Sequence, residues 1–141
     1  MTKRGLFLDR ACGILALFWF LCFVVSLAIP GLLLLKGAIE QPSFMTALDQ
    51  TSSLYAPYVG AILAYYFAKR KSSRGLARRA PFGVALGVSA LWNLVVCGVM
   101  FQVPLGLMPI EDALKTAGGA GSKLAWLVAP AIGYFFARPG E

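Results

Sequence analysis

Asn93 is the residue of this 141-residue chain whose setting most invites chemistry. It lies near the middle of an uncharged stretch, residues 80–110. Ala85, Ser89 and Cys97 recur at steps of four around it and share its helical face. A carboxamide in an apolar run needs partners, because an unpaired polar group in hydrocarbon costs several kcal/mol. The Ser89, Asn93, Cys97 face therefore has three readings. It lines a pore, it forms a ring of hydrogen bonds between subunits, or it makes one interhelical bond within the chain, worth about 1 kcal/mol.

Other chemistry is scarce. The chain has no histidine. Cys12, Cys22 and Cys97 fall in apolar runs without CxxC spacing and read as small packing residues rather than redox or metal ligands. Ser26, Ser53 and Ser89 have no general base nearby in sequence. Glu40, Asp49, Glu111 and Asp112 lack the spacing of metal ligands. Proton relays and ion-coupled transporters place an ionisable group within the membrane, and residues 11–35, 50–68 and 80–110 hold none. The expectation is a non-enzyme with no catalytic residue, metal site or cofactor.

The elements that must position Asn93 are apolar. Hydrophobic residues make up 59% of the chain and charged residues 13%, against about a quarter charged in soluble domains. Lipid is the expected solvent. Four uncharged runs stand out, at 11–35, 50–68, 80–110 and 124–137, where about 20 residues cross a bilayer core. The first is too long for the roughly 7–15-residue core of a cleaved signal peptide and is read as a retained helix. Pro30-Gly31 should kink or stop it. Pro57 falls in the first turns of the second run, where a missing donor costs least. Tyr55, Tyr58, Tyr65 and Tyr66 mark the two ends of that run as aromatic belts. The third run spans 81–103 and ends at Pro104 and Pro109. The fourth is short, and Lys123 can snorkel while the residues before it extend the helix. Residues 36–50 and 111–122 read as outer loops. The first holds a short interfacial helix at 42–48. The second holds a small helix at 109–115, with its acids early and Lys115 late as the helix dipole prefers. Gly118-Gly119-Ala120-Gly121 should break that helix.

Residues 69–79 fix the orientation. Lys69, Arg70, Lys71, Arg74, Arg78 and Arg79 are six of thirteen basic residues, with no acid among them. Placing this segment and both termini inside also puts Lys3, Arg4, Arg10 and Arg138 there. Only Lys36, Lys115 and Lys123 remain outside, with four of the six acids, as the positive-inside rule requires. The basic segment would also attract anionic headgroups, with an acidic cytosolic partner as the alternative. The net charge of +7 does not imply nucleic acid, because no aromatic residue interleaves with it and no recognition motif is present.

The chain repeats itself. GAILAYYFAKR (60–70) aligns with APAIGYFFARP (129–139), and Trp19 and Pro30 align more loosely with Trp92 and Pro104. The fold class expected is all-α and integral to the membrane. Four transmembrane helices form two tandem hairpins in parallel orientation, with both termini inside. Hairpin 1 covers 1–70, and hairpin 2 covers 80–141 after the basic segment, within a single membrane domain. Small residues recur every four positions, at Ala56, Gly60, Ala64 and Ala68 and again at Ala125, Ala129, Gly133 and Ala137. Gly83 and Gly87 add a shorter pair. Lipid gives helices no hydrophobic reason to associate, so small residues that let backbones approach are the expected helix-packing surfaces, chiefly within one monomer.

Four short helices with Tyr-Tyr-Phe-Ala-Lys-Arg ends and little soluble mass resemble small bacterial inner-membrane proteins, which sets the expected location. The expected role is a non-enzymatic membrane subunit that associates with itself or with another membrane or cytosolic protein. The alternative is an oligomeric channel, pore or membrane-permeabilising effector lined by the Asn93 face.

Overall fold

The computed structural model describes residues 8–69 and 79–137. Among the described residues it holds four helices and no strand: α1 (Leu8–Leu35), α2 (Gln41–Lys69), α3 (Arg79–Met100) and α4 (Ile110–Ala137). Two stretches, Arg10–Leu35 in α1 and Phe82–Met100 in α3, are long and apolar enough to cross a membrane. In α2 and α4 the first halves are polar, and neither helix meets that criterion over its length.

The helices pair as two hairpins. α1 packs on α2 and α3 on α4, and the hairpins meet through α1 on α3 and α2 on α4. Trp19 reaches Ser89 while Ser26 reaches Cys97. The partners climb together along α1 and α3, so those helices run parallel. The two connecting turns repeat one another closely. Gly37 (φ 68°), just past the end of α1, and Gly106 (φ 72°), in the turn that follows α3, are left-handed and close matching turns. In the first, Gly37 N–H donates to Leu34 O and Ala38 N–H to Leu33 O; in the second, Gly106 N–H donates to Val103 O and Leu107 N–H to Gln102 O. This pair of bonds is the Schellman arrangement, made at the end of α1 and again in the turn after α3, and it requires φ > 0 at the glycine. Each next helix opens with matching bonds, Phe44 N–H to Glu40 O and Ala113 N–H to Pro109 O.

Several expectations need correction. Residues 41–50 and 111–122 are not outer loops; they are the opening turns of α2 and α4. The helix expected at 42–48 is therefore continuous with the remainder of α2. Pro30, Pro57 and Pro130 lie inside helices that continue past them. Pro57 is not in the first turns of α2, because the helix starts at Gln41.

The run Gly118-Gly119-Ala120-Gly121 stays helical as well. Each interior glycine costs about 1 kcal/mol relative to alanine, so packing must offset it. Gly121 is buried, and a Cβ there would stand 2.9 Å from Leu54 Cδ1 and 3.2 Å from Trp92 Cζ2. Trp92 Nε1–H donates to Gly121 O at 3.0 Å. The missing side chain lets an indole and a leucine close directly on the α4 backbone. Gly118 and Gly119 have nothing within 4 Å of a built Cβ, so no such contact requires them.

Adjacent glycines should therefore respond oppositely to alanine. Gly121→Ala should lower stability by about 1–3 kcal/mol through overpacking, and Gly119→Ala should raise it by roughly 0.5–1 kcal/mol. Thermal unfolding followed by circular dichroism checks both. Equal shifts for the two would contradict the close approach at Gly121.

Candidate functional site

The hairpins join through aromatic rings. Trp19, Tyr55 and Trp92 are fully buried. The Trp19 and Trp92 rings lie 5.1 Å apart, and Tyr55 meets Trp92 edge to face at 5.1 Å and 89°. Tyr58 stacks on Trp19 at 5.0 Å and 25°. Such pairs contribute about 0.5–1.5 kcal/mol each beyond the area they bury. Tyr55 and Tyr58 do not form the interfacial belt expected of them. Because α2 starts at Gln41, they fall mid-helix, against both tryptophans.

Polar atoms thread this junction. Trp19 Nε1–H donates to Ser89 Oγ at 3.0 Å. The Ser26 and Tyr55 hydroxyls share a hydrogen bond of 3.0 Å, and the Cys97 thiol lies 3.5 Å from each. Asn93 Nδ2 donates back to Ser89 O at 2.9 Å along its own helix. Ser89 and Asn93 are buried and Cys97 is half-buried. The Ser89 end of this face turns inward against α1, so within the four-helix unit it meets a helix and not an opening. Among the described residues Asn93 Oδ1 has no hydrogen-bond partner, and neither does the buried Thr51 Oγ1. Among the described residues Cys12, Cys22 and Cys97 form no disulfide.

The expected packing stripes lie elsewhere. Ala56, Gly60 and Ala64 are exposed on α2, as are Gly83 and Gly87 on α3. On α4, Ala129 is exposed and Ala125 and Gly133 are half-buried. Nothing lies within 4 Å of a Cβ built on Gly60, Gly83, Gly87 or Gly133. Ala56, Gly60, Ala64, Gly83 and Gly87 therefore lie off the contacts of the described unit, and the small residues buried in its core are others: Ala11, Ala47, Ala85, Ala113 and Ala117. The side chains of Ala68 and Ala137 lie outside the described residues. So does the basic segment at Arg70, Lys71, Arg74 and Arg78; Lys69 ends α2 and Arg79 begins α3.

A cleft of about 490 Å³ opens between the polar halves of α2 and α4. Asp49, Thr51 and Ser53 line it from α2, and Lys115 and Ser122 line it from α4. Ser26 of the hydroxyl network, with Val96 and Met100 of α3, also borders it. Sequence reasoning misses this site because it reads both segments as loops. The signal that could have found it is spacing: Asp49 and Ser53 are four apart, and Lys115, Gly118, Gly119 and Ser122 follow i, i+3, i+4, i+7, one face of a helix. No group of three or more potential metal ligands occurs among the described residues.

No protein family, curated protein or solved structure matches the chain.

A double-mutant cycle tests the junction. Ser26→Ala and Tyr55→Phe should each destabilise by about 1 kcal/mol, with a coupling of about 0.5–1.5 kcal/mol between them. Strict additivity in unfolding measurements would show that the two hydroxyls do not meet.

Proposed function

We propose that the chain is a non-enzymatic, multi-pass membrane subunit that associates with copies of itself through the small-residue face of α2. Support for the lipid setting comes from burial. Only 28% of each apolar span, in α1 and in α3, is buried inside the bundle, whereas the core helix of a water-soluble protein is mostly buried. Leu17, Leu21 and Leu32 on α1 and Leu91 and Leu94 on α3 are exposed. Surfaces so apolar are rare on soluble monomers. In this reading all four helices cross the membrane, α2 and α4 turning their polar halves toward one another and away from lipid.

The observation that carries the association is the free stripe Ala56, Gly60 and Ala64. It is exposed, with open space around Gly60. In lipid, such a stripe attracts another helix by close backbone approach. The repeat places a related stripe on α4, where Ala129 and Gly133 correspond to Gly60 and Ala64. One copy thus offers two faces of the same kind. The excess of Lys and Arg at 69–79 and near both termini favours the cytosolic side for that end. The resemblance to small bacterial inner-membrane proteins favours that membrane.

Native mass spectrometry from lipid nanodiscs tests the association. The wild-type chain should appear as a multimer, and Gly60→Leu should shift it at least several-fold toward monomer without loss of helicity. A wild-type chain that is monomeric at every concentration would overturn self-association.

A further inference from the structure

We propose that the cleft between α2 and α4 binds a small zwitterion carrying a primary ammonium and an anionic group. Asp49 and Lys115 bring opposite charges to the same cavity from two different helices. A carboxylate on one wall and an ammonium on the other match a ligand whose own charges are arranged in reverse. Neither a simple cation nor a simple anion would use both walls. Hydroxyl residues Thr51, Ser53 and Ser122 belong to the same lining. Thr51 is only 3% exposed, and its hydroxyl has no hydrogen-bond partner among the described residues. Leaving a buried hydroxyl unpaired is unfavourable, and it is a group that a ligand can satisfy.

Size and position agree with this assignment. About 490 Å³ falls within the roughly 300–1,000 Å³ of small-molecule sites. Gly118 and Gly119 line the α4 side, and no contact in the fold requires their missing side chains. Their presence keeps that wall low and its backbone accessible. Leu54, Val96 and Met100 supply an apolar part of the lining, suited to the carbon skeleton that separates two charges. The site lies within one copy of the chain, so it stands whether or not copies associate.

Two sources carry this chemistry: a soluble amino-phosphate and the headgroup of an ethanolamine phospholipid. The full chain is purified in detergent and titrated calorimetrically with phosphoethanolamine. In parallel, native mass spectrometry counts lipids retained from nanodiscs of mixed phosphatidylethanolamine and phosphatidylcholine. Asp49→Asn and Lys115→Gln both alter exposed side chains and should leave the thermal unfolding midpoint unchanged. Saturable binding of either probe, weakened about tenfold or more in both variants, supports the site. Binding of phosphoethanolamine assigns a soluble ligand, and selective retention of the ethanolamine lipid alone assigns a headgroup. Binding that is equal in wild type and both variants overturns the proposal, as does no binding of either probe. The oligomer mass read in the same spectra separates this outcome from failure of self-association.

Discussion

Two buried indoles hold the hairpins together, and the rest of the packing depends on them. Trp19 and Trp92 lie ring against ring at 5.1 Å, one from each hairpin. An indole is a large apolar body with a single donor, and burial is favourable only if that donor is satisfied. Each finds a partner on another helix: Ser89 Oγ for Trp19 and the Gly121 carbonyl for Trp92. Those bonds fix three helices relative to one another. The second bond also requires that α4 present bare backbone, which is why a glycine is tolerated at 121 in a helical interior. Tyr55 then closes the gap from α2, with its ring on Trp92 and its hydroxyl on Ser26.

Filling the interior with rings has a consequence at the surface. Trp19, Tyr55 and Trp92 take the space between the hairpins, and Ala56, Gly60 and Ala64 of α2 with Gly83 and Gly87 of α3 are left exposed. The hairpins meet chiefly through rings, with one close approach to bare backbone at Gly121. The proposal that copies associate is an extension of this: the exposed small residues of α2 remain open to the kind of close contact that Gly121 makes inside the unit.

Much of the architecture is legible in the sequence. Four apolar runs correspond to four helices, and the hairpin pairing agrees with the repeat. The match of Trp19 with Trp92 points to two corresponding positions, which the fold brings into contact. The repeat is stronger in the turns than the residues suggest, since Gly37 and Gly106 adopt the same backbone and the same hydrogen bonds although their neighbours differ. Helix starts are less legible. Gln41 and Ile110 open helices whose first turns are polar, and polarity there mimics a solvent-exposed loop. The glycine run at 118–121 looks like a breaker because its offset, the indole of Trp92, is distant in sequence. The cleft is hidden along with those turns. Ser26 has no general base near it in sequence and gives no signal there, yet it joins the Tyr55 hydroxyl and the Cys97 thiol in a network that only the pairing of α1 with α2 and α3 creates.

The central claim is that the outer faces of α1 and α3 meet lipid while the space between α2 and α4 meets water. Nitroxide labels at Leu94 and at Ser53, each in a chain whose three cysteines are replaced by alanine, test it in reconstituted bilayers. Relaxation by oxygen, which concentrates in lipid, should dominate at Leu94. Relaxation by a water-soluble nickel chelate should dominate at Ser53. Strong nickel relaxation at Leu94, or lipid-like relaxation at both positions, would contradict the account.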